Sequence, residues 1–355
     1  MVGKSPLSAA LSSALAELRN GQQEAVSWGQ GALLVLAGPG SGKTTVLTTR
    51  IARLISESPG KFFRVLALTF TNKAAAEMRA RLEQLIPDAT ARANVGTFHW
   101  FCADVLRTHG SRLKLTPDFT VYPTVADQLE VMQGVLQESD SWLEPDQALR
   151  TINHLRANLL TPEEAERVIE DPALAADVRA VYSLYNERLL QLNALDFDGL
   201  LYFAVKLFQR YPKLTEHYRR VYSYWCIDEF QDTNLAQFEL LRAMAGGVFR
   251  DIFAVADDDQ VLYEWNGASH LRLVDFQREF QAERLQLPTN FRCPKSVVEL
   301  ANQLIVRNSL RMGERAELRA ARSDAPPVAF LEAEDEDDQA HQVAQAIQQR
   351  GLRLD

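Results

Sequence analysis

The sequence predicts an α/β protein built on a parallel sheet flanked by helices, with an all-helical unit inserted into it. Three observations point there. Short continuous apolar runs recur at 32–37 (ALLVLA), 64–70 (RVLALTF), 224–227 and 252–256 (IFAVA). Runs without polar alternation suit strands covered on both faces. Residues able to do chemistry follow directly after these runs, where an open α/β sheet places its ligands. Between about Thr108 and Leu192 the runs disappear and the pattern turns helical and charged.

A chain of 355 residues is long enough to bury two or more cores. With 46% hydrophobic and 24% charged residues it has neither a disordered nor a collagen-like composition. Cys102, Cys226 and Cys293 are far apart and form no zinc or CxxC pattern, which fits a reducing cytoplasm. The apolar stretch Leu7–Leu18 is broken by serines and Glu17, as in an amphipathic helix rather than a signal peptide. No stretch approaches the roughly 18 apolar residues of a membrane span. A net charge of -9 argues against a protein that coats nucleic acid, although a narrow basic groove needs only local charge.

The first apolar run ends in Ala37-Gly38-Pro39-Gly40-Ser41-Gly42-Lys43-Thr44-Thr45, and a helical pattern then runs from Lys43 to Ser56. Strand, Gly-rich turn, helix is the setting of a phosphate-binding loop. The glycines let backbone N–H groups turn inward as a nest for phosphate oxygens, and the helix N-terminus adds its dipole. Gly38, Gly40, Ser41, Gly42, Lys43, Thr44 and Thr45 are therefore the expected nucleotide-binding residues. Lys43 would reach the β and γ phosphates, and the Thr44 hydroxyl would ligate Mg²⁺. Alanine at 37 replaces the usual first glycine without disturbing the nest.

The run 224–227 leads into Asp228-Glu229-Phe230-Gln231-Asp232. Adjacent carboxylates at a strand end beside a phosphate loop divide the work: Asp228 holds Mg²⁺, and Glu229 polarises the attacking water. The run 252–256 precedes three aspartates and Gln260. A third section starts near Leu285 and closes on an acidic helix start, 332–338, whose carboxylates favour a helix N-terminus.

With these residues in order, the chain resembles the UvrD/Rep/PcrA group of superfamily 1A helicases over nearly its whole length. Residues 20–26 (NGQQEAV) resemble the Q motif, 69–78 (TFTNKAAAEM) motif Ia, and 96–99 (GTFH) the next DNA-contacting motif. Residues 195–201 (LDFDGLL) are similar to the segment returning from the inserted subdomain, 257–268 (DDDQVLYEWNGA) to motif III, and 287–292 (LPTNFR) to motif IV. The resemblance implies ATP and Mg²⁺ as cofactors, with Gln22 reading adenine and Phe291 stacking on it. It implies that Gln260 meets the γ-phosphate or attacking water and that Arg292 acts as a finger in cis. Phe70, Tyr263 and Trp265 would stack on bases while Asn72, Thr97 and His99 hold the backbone, which grips single-stranded DNA without reading its sequence.

Departures from the family pattern are Thr45 and Asn266 for arginine, Phe291 for tyrosine, and Gly199 for aspartate. The implied architecture is a RecA-like domain over 1–107 and 193–284, an inserted helical subdomain over 108–192, and the start of a second RecA-like domain over 285–355. The expected function is the ATP-binding N-terminal part of a cytoplasmic 3′–5′ DNA helicase and translocase acting on single strands and junctions, with no membrane association. Repair or replication proteins are possible partners. Because the two last family motifs are absent, the isolated chain is expected to hydrolyse ATP weakly and not to unwind. The alternatives are a non-motor nucleotide- and DNA-binding accessory module and the helicase subunit of a RecB- or AddA-like nuclease.

Overall fold

The computed structural model describes residues 7–58, 62–261, 269–308, 311–313 and 315–350. Helices α1 (Ala9–Glu17) and α2 (Asn20–Ser27) precede β1 (Leu33–Ala37), α3 (Lys43–Ser56), β2 (Arg64–Thr69), α4 (Asn72–Leu85), β3 (Ala93–Thr97) and α5 (Phe98–His109). Next come β4 (Thr120–Tyr122), α6 (Val125–Ser139), α7 (Pro145–Ala157), α8 (Pro172–Gln191), β5 (Ala194–Asp196), α9 (Phe197–Arg210) and α10 (Pro212–Val221). The chain continues through β6 (Tyr222–Ile227), α11 (Leu235–Ala245), β7 (Ile252–Ala256), α12 (Leu271–Phe280) and β8 (Glu283–Leu287). It ends with β9 (Thr289–Asn290), α13 (Lys295–Ile305), β10 (Arg319–Ala320) and α14 (Glu336–Gln349).

The expected α/β fold is present as a six-stranded sheet in the order β3-β2-β6-β7-β1-β8 with every neighbouring pair parallel. Alternate residues feed opposite cores, as the period of a strand requires. Leu33, Val35 and Phe253 face α1, α2, α3 and α4, whereas Leu34, Leu36 and Ala254 face α5, α9, α11 and α12. Strand β8 spans the expected boundary at 284/285 and pairs with β1 as an outer strand of this sheet.

Helices α6, α7 and α8 pack around a core of their own that includes Met132, Ile152, Val181 and Tyr185. The chain leaves for them through β4 and returns through β5, which pair in parallel. Fully buried Arg156 of α7 meets Asp196 at 2.6 Å, and the Tyr185 hydroxyl donates to the same carboxylate oxygen at 3.0 Å. The other Asp196 oxygen caps α9 by accepting from Gly199 N at 2.6 Å. Arg156 thus ties the inserted helices to the first turn of α9. Removing either partner of a buried pair costs roughly 3–5 kcal/mol.

The last section carries far less core. Helix α14 begins as the acidic run predicts, with Asp335 accepting from Asp338 N at 2.8 Å, and none of its residues is buried. Among the described residues no helix is long and apolar enough to cross a membrane.

Candidate nucleotide and nucleic-acid site

Helix α3 starts at Lys43 because Gly42 stops the loop in a left-handed turn, φ +86°, which costs any other residue strain. A Cβ on Gly42 would lie 2.6 Å from Gln22 Nε2. Gly40, φ +67°, is equally hemmed in: a Cβ there would lie 2.8 Å from both Arg292 Cβ and Asn290 Oδ1. The segment after β8 is laced to this loop. Asn290 Nδ2 donates to Pro39 O at 2.8 Å, and Phe291 N donates to Gly40 O at 2.8 Å. Asn290 Oδ1 accepts from Arg292 N and Cys293 N, which presents Arg292 to the loop.

Lys43 Nζ lies 3.3 Å from Glu229 Oε2 and 3.8 Å from Asp257 Oδ2. The ends of β1, β6 and β7 therefore deliver one cation and two anions to one place. Glu229 sits at φ +46°, an uncommon setting for a side-chain-bearing residue that is typical of functional turns. Gln231 Nε2 donates to Glu229 Oε2 at 2.8 Å while Gln231 Oε1 accepts from Asp257 N at 2.9 Å. Gln260 Nε2 donates to Asp257 Oδ2 at 2.7 Å. Gln231 thus ties the Glu229 carboxylate to the backbone at Asp257, and Gln260 holds the Asp257 carboxylate.

Burial dominates the electrostatics. It pushes Asp228 up to about 6, aided by the Glu229 charge and opposed by Lys43. Asp232 rises to about 7 from burial and the same neighbour. Burial also raises Asp257, against the pull of Lys43 and Arg315. Thr44 lines the same cavity as Lys43 and Glu229, and Asp228 is buried close behind it. A hydroxyl and a carboxylate oxygen are hard donors that suit Mg²⁺, so Thr44 and Asp228 fit a divalent cation.

A cavity of about 250 Å³ is lined by Pro39, Gly40, Gly42, Lys43, Thr44, Thr45, Arg81, Glu229, Gln260 and Arg292. It is small and strongly polar, as a polyphosphate requires. A second cavity of about 450 Å³ is lined by Arg19, Gly21, Gln22, Ser41, Leu287, Pro288, Thr289, Phe291 and Arg319. It offers an aromatic ring and an amide to a flat heterocycle. Gln22 Nε2 donates to Ser41 O at 2.8 Å and Gln22 Oε1 accepts from Arg19 N at 3.1 Å, so one proton and one lone pair stay open to a base.

The structure thus brings together the sequence-predicted Gln22, Gly40, Ser41, Gly42, Lys43, Thr44, Thr45, Glu229, Gln260, Phe291 and Arg292 around two cavities. Gly38 and Asp228 lie behind the lining: Gly38 O accepts from Ser41 Oγ at 2.7 Å, and Asp228 is buried. Arg81, Gln231 and Asp257 were not singled out. No local sequence signal marks Arg81, which reaches the cavity from α4.

The expected nucleic-acid residues occupy the same edge of the sheet, beyond β2 and β3. Phe70 is half-buried after β2, and exposed Asn72 opens α4. Thr97 is buried and caps α5 by accepting from Trp100 N at 3.1 Å, which leaves its hydroxyl proton to donate. His99 packs edge-on to Phe197 with centroids 5.2 Å apart, and burial lowers its pKa to about 4. A neutral imidazole can hydrogen-bond a phosphate but brings no charge. Two exposed aromatics on this edge, Trp100 and Phe197, were not among the predicted residues. Tyr263, Trp265 and the Asn266 departure lie outside the described residues.

Comparison with known proteins accords with this arrangement. The family model of the UvrD/REP helicase N-terminal domain matches residues 18–281. The chain is similar to the ATP-dependent DNA helicase PcrA of Staphylococcus epidermidis, 37% identical over 331 residues, covering 92% of this chain and 45% of the relative. It is likewise 37% identical to the ATP-dependent DNA helicase PcrA of Staphylococcus aureus over 92% of this chain and 44% of that protein. The chain therefore spans about half the length of the curated relatives it matches.

Proposed function

From the premise that this chain belongs to the UvrD/REP helicase family, we propose that it is the ATP-binding portion of an ATP-dependent DNA helicase moving 3′ to 5′ on single-stranded DNA. The observation that carries the reading is Lys43 held 3.3 Å from Glu229 and 3.8 Å from Asp257, in a polar cavity that Arg292 also lines. One set of residues would bind the phosphates, activate water and sense the γ-phosphate.

In this reading Lys43 and the loop N–H groups take the β and γ phosphates, with Arg81 and Arg292 adding charge at the far end. Thr44 and Asp228 would hold Mg²⁺, which would supply Lewis-acid charge neutralisation there. Glu229, kept at hand by Gln231, receives the proton of the attacking water. Gln260 reports the γ-phosphate to the segment after it. Gln22 and Phe291 hold adenine. Phe70, Asn72, Thr97 and His99 meet single-stranded DNA, with Tyr263 and Trp265 assigned to the same strand. Junctions and repair or replication proteins are further partners in this reading, cytoplasmic location goes with it, and the division at 108, 193 and 285 is the proposed domain plan.

The test is nucleotide binding and ATP turnover by this chain, each with and without an oligothymidylate. Nucleotide binding that is lost in Lys43→Ala and responds to the oligothymidylate, with the weak turnover of this chain falling further in Glu229→Gln, supports the reading. A chain that binds no nucleotide, or whose nucleotide binding ignores both Lys43 and single-stranded DNA, would falsify it.

A further inference from the structure

Three consecutive aspartates follow β7, and they are engaged by Asn308, Arg311, Met312 and Arg315. Arg315 Nη1 lies 2.8 Å from Asp258 Oδ1, and Arg315 Nη2 lies 3.8 Å from Asp257 Oδ1. Met312 N donates to Asp258 Oδ2 at 2.8 Å. Arg311 Nη2 and Asn308 Nδ2 donate to the two oxygens of Asp259 at 2.8 and 3.0 Å. The Asp257 and Asp258 side chains are fully buried, and the Arg315 side chain is only 5% exposed. Cations already serve these carboxylates, so the cluster is a contact within the protein rather than an ion site.

Asp257 has two cations within reach, Arg315 on one oxygen and Lys43 on the other, both at 3.8 Å. Arg315 does not line the phosphate cavity, whereas Lys43 does. We propose that Arg315 is a positioning residue for nucleotide binding: by neutralising Asp257 it frees Lys43 to meet the phosphates. A buried carboxylate must be paired. Without Arg315, Lys43 would be the remaining cation on Asp257 and would be held back from the nucleotide. Coupling is reciprocal. A phosphate that draws Lys43 away leaves Asp257 to Arg315 alone and so tightens Arg315 and Met312 against the end of β7. The inference rests on the proposed ATP site and deepens it, by naming how occupancy of that site is passed to the section after β8.

The experiment is the Kd for a fluorescent ATP analogue with Mg²⁺ in wild type, Arg315→Ala, Asp257→Asn and the double variant, with hydrogen exchange at the Met312 amide. Arg315→Ala should bind nucleotide roughly tenfold more weakly, within the usual range of coupling between sites. The double variant should return close to wild type, because the competing carboxylate is gone, and Arg315→Lys should retain most of the affinity. In wild type, nucleotide should slow exchange at Met312, and Arg315→Ala should abolish that slowing. Should the alanine variant fail to fold, Arg315→Gln supplies the same comparison with the side-chain length kept. An unchanged Kd in these variants, or a loss that Asp257→Asn does not restore, overturns the proposal while leaving the ATP site standing. A wild type that binds no nucleotide overturns the site reading and the proposal with it.

Discussion

The two ends of the sheet's working edge are built in opposite ways. Beyond β1, β6 and β7 the side chains are charged and locked to one another around buried Asp257: Lys43 to Glu229 and Asp257, Gln231 to Glu229, Gln260 to Asp257, Asn290 to the loop backbone. Beyond β2 and β3 the edge is half-open, largely neutral and aromatic, with Phe70, His99, Trp100 and Phe197 beside the helix starts at Asn72 and Phe98. A ligand of fixed charge and geometry rewards the first design, because preorganised charges act where water is excluded. A polymer whose bases vary rewards the second, since stacking works on any base.

The comparison breaks most visibly at Glu229. Glu229→Gln should lower ATP turnover by roughly 10²–10⁴, as for loss of a general base, while nucleotide and oligothymidylate binding stay near wild type. Equal losses in turnover and DNA binding would mean that the two ends are not separate. Gly40→Ala comes next. Its Cβ would lie 2.8 Å from Arg292 Cβ and from Asn290 Oδ1 at φ +67°, so nucleotide affinity should fall and thermal stability drop by about 1–2 kcal/mol. A variant as stable and as tight as wild type would show that the Asn290 lacing is dispensable. Phe70→Ala should weaken oligothymidylate binding by about 1–3 kcal/mol, with the Kd for nucleotide unchanged. A shift in nucleotide Kd instead would place Phe70 in the nucleotide end.

What could be read from sequence divides along the same line. Helix α3 runs from Lys43 to Ser56 as expected, because a buried run, a Gly-rich stop and an amphipathic period are all local signals. Strand β8 gave no such signal: its burial alternates irregularly along an outer strand, so ERLQL shows no continuous apolar run, and the expected boundary fell inside it. The two- and three-residue strands β4, β5, β9 and β10 are too short to leave a period. Within the site, residues in contiguous motifs were legible. Arg315 on Asp257 and Asp258 was not, since the partners are far apart in sequence and only the folded chain brings them together. Arg81 was missed for a related reason: packing of α4, rather than any motif, turns its side chain into the cavity.

The smallest expected effect compares the two ends through pH. Burial favours the neutral form at both, with opposite results: carboxylates become neutral by gaining a proton and imidazole by losing one. Asp228 and Asp232 are pushed up to about 6 and about 7, and His99 is lowered to about 4. A raised carboxylate contributes stability that is complete below its unfolded pKa and is lost as pH rises through the folded value. The nucleotide end of the metal-free protein should therefore be steadied as pH falls from about 7 to about 4. A lowered imidazole contributes stability present above its unfolded pKa and lost as pH falls through the folded one, so the nucleic-acid end weakens only between about 6.5 and 4. Each of these opposing contributions should be worth a few degrees of Tm between about pH 7 and 4. Asp232→Asn should remove part of the gain on acidification and His99→Gln part of the loss, so the two variants move the acid side of the Tm profile in opposite directions. If both move it in the same direction, the charge assigned to the nucleotide end is misplaced, and the contrast between a charged and a neutral end loses its electrostatic basis.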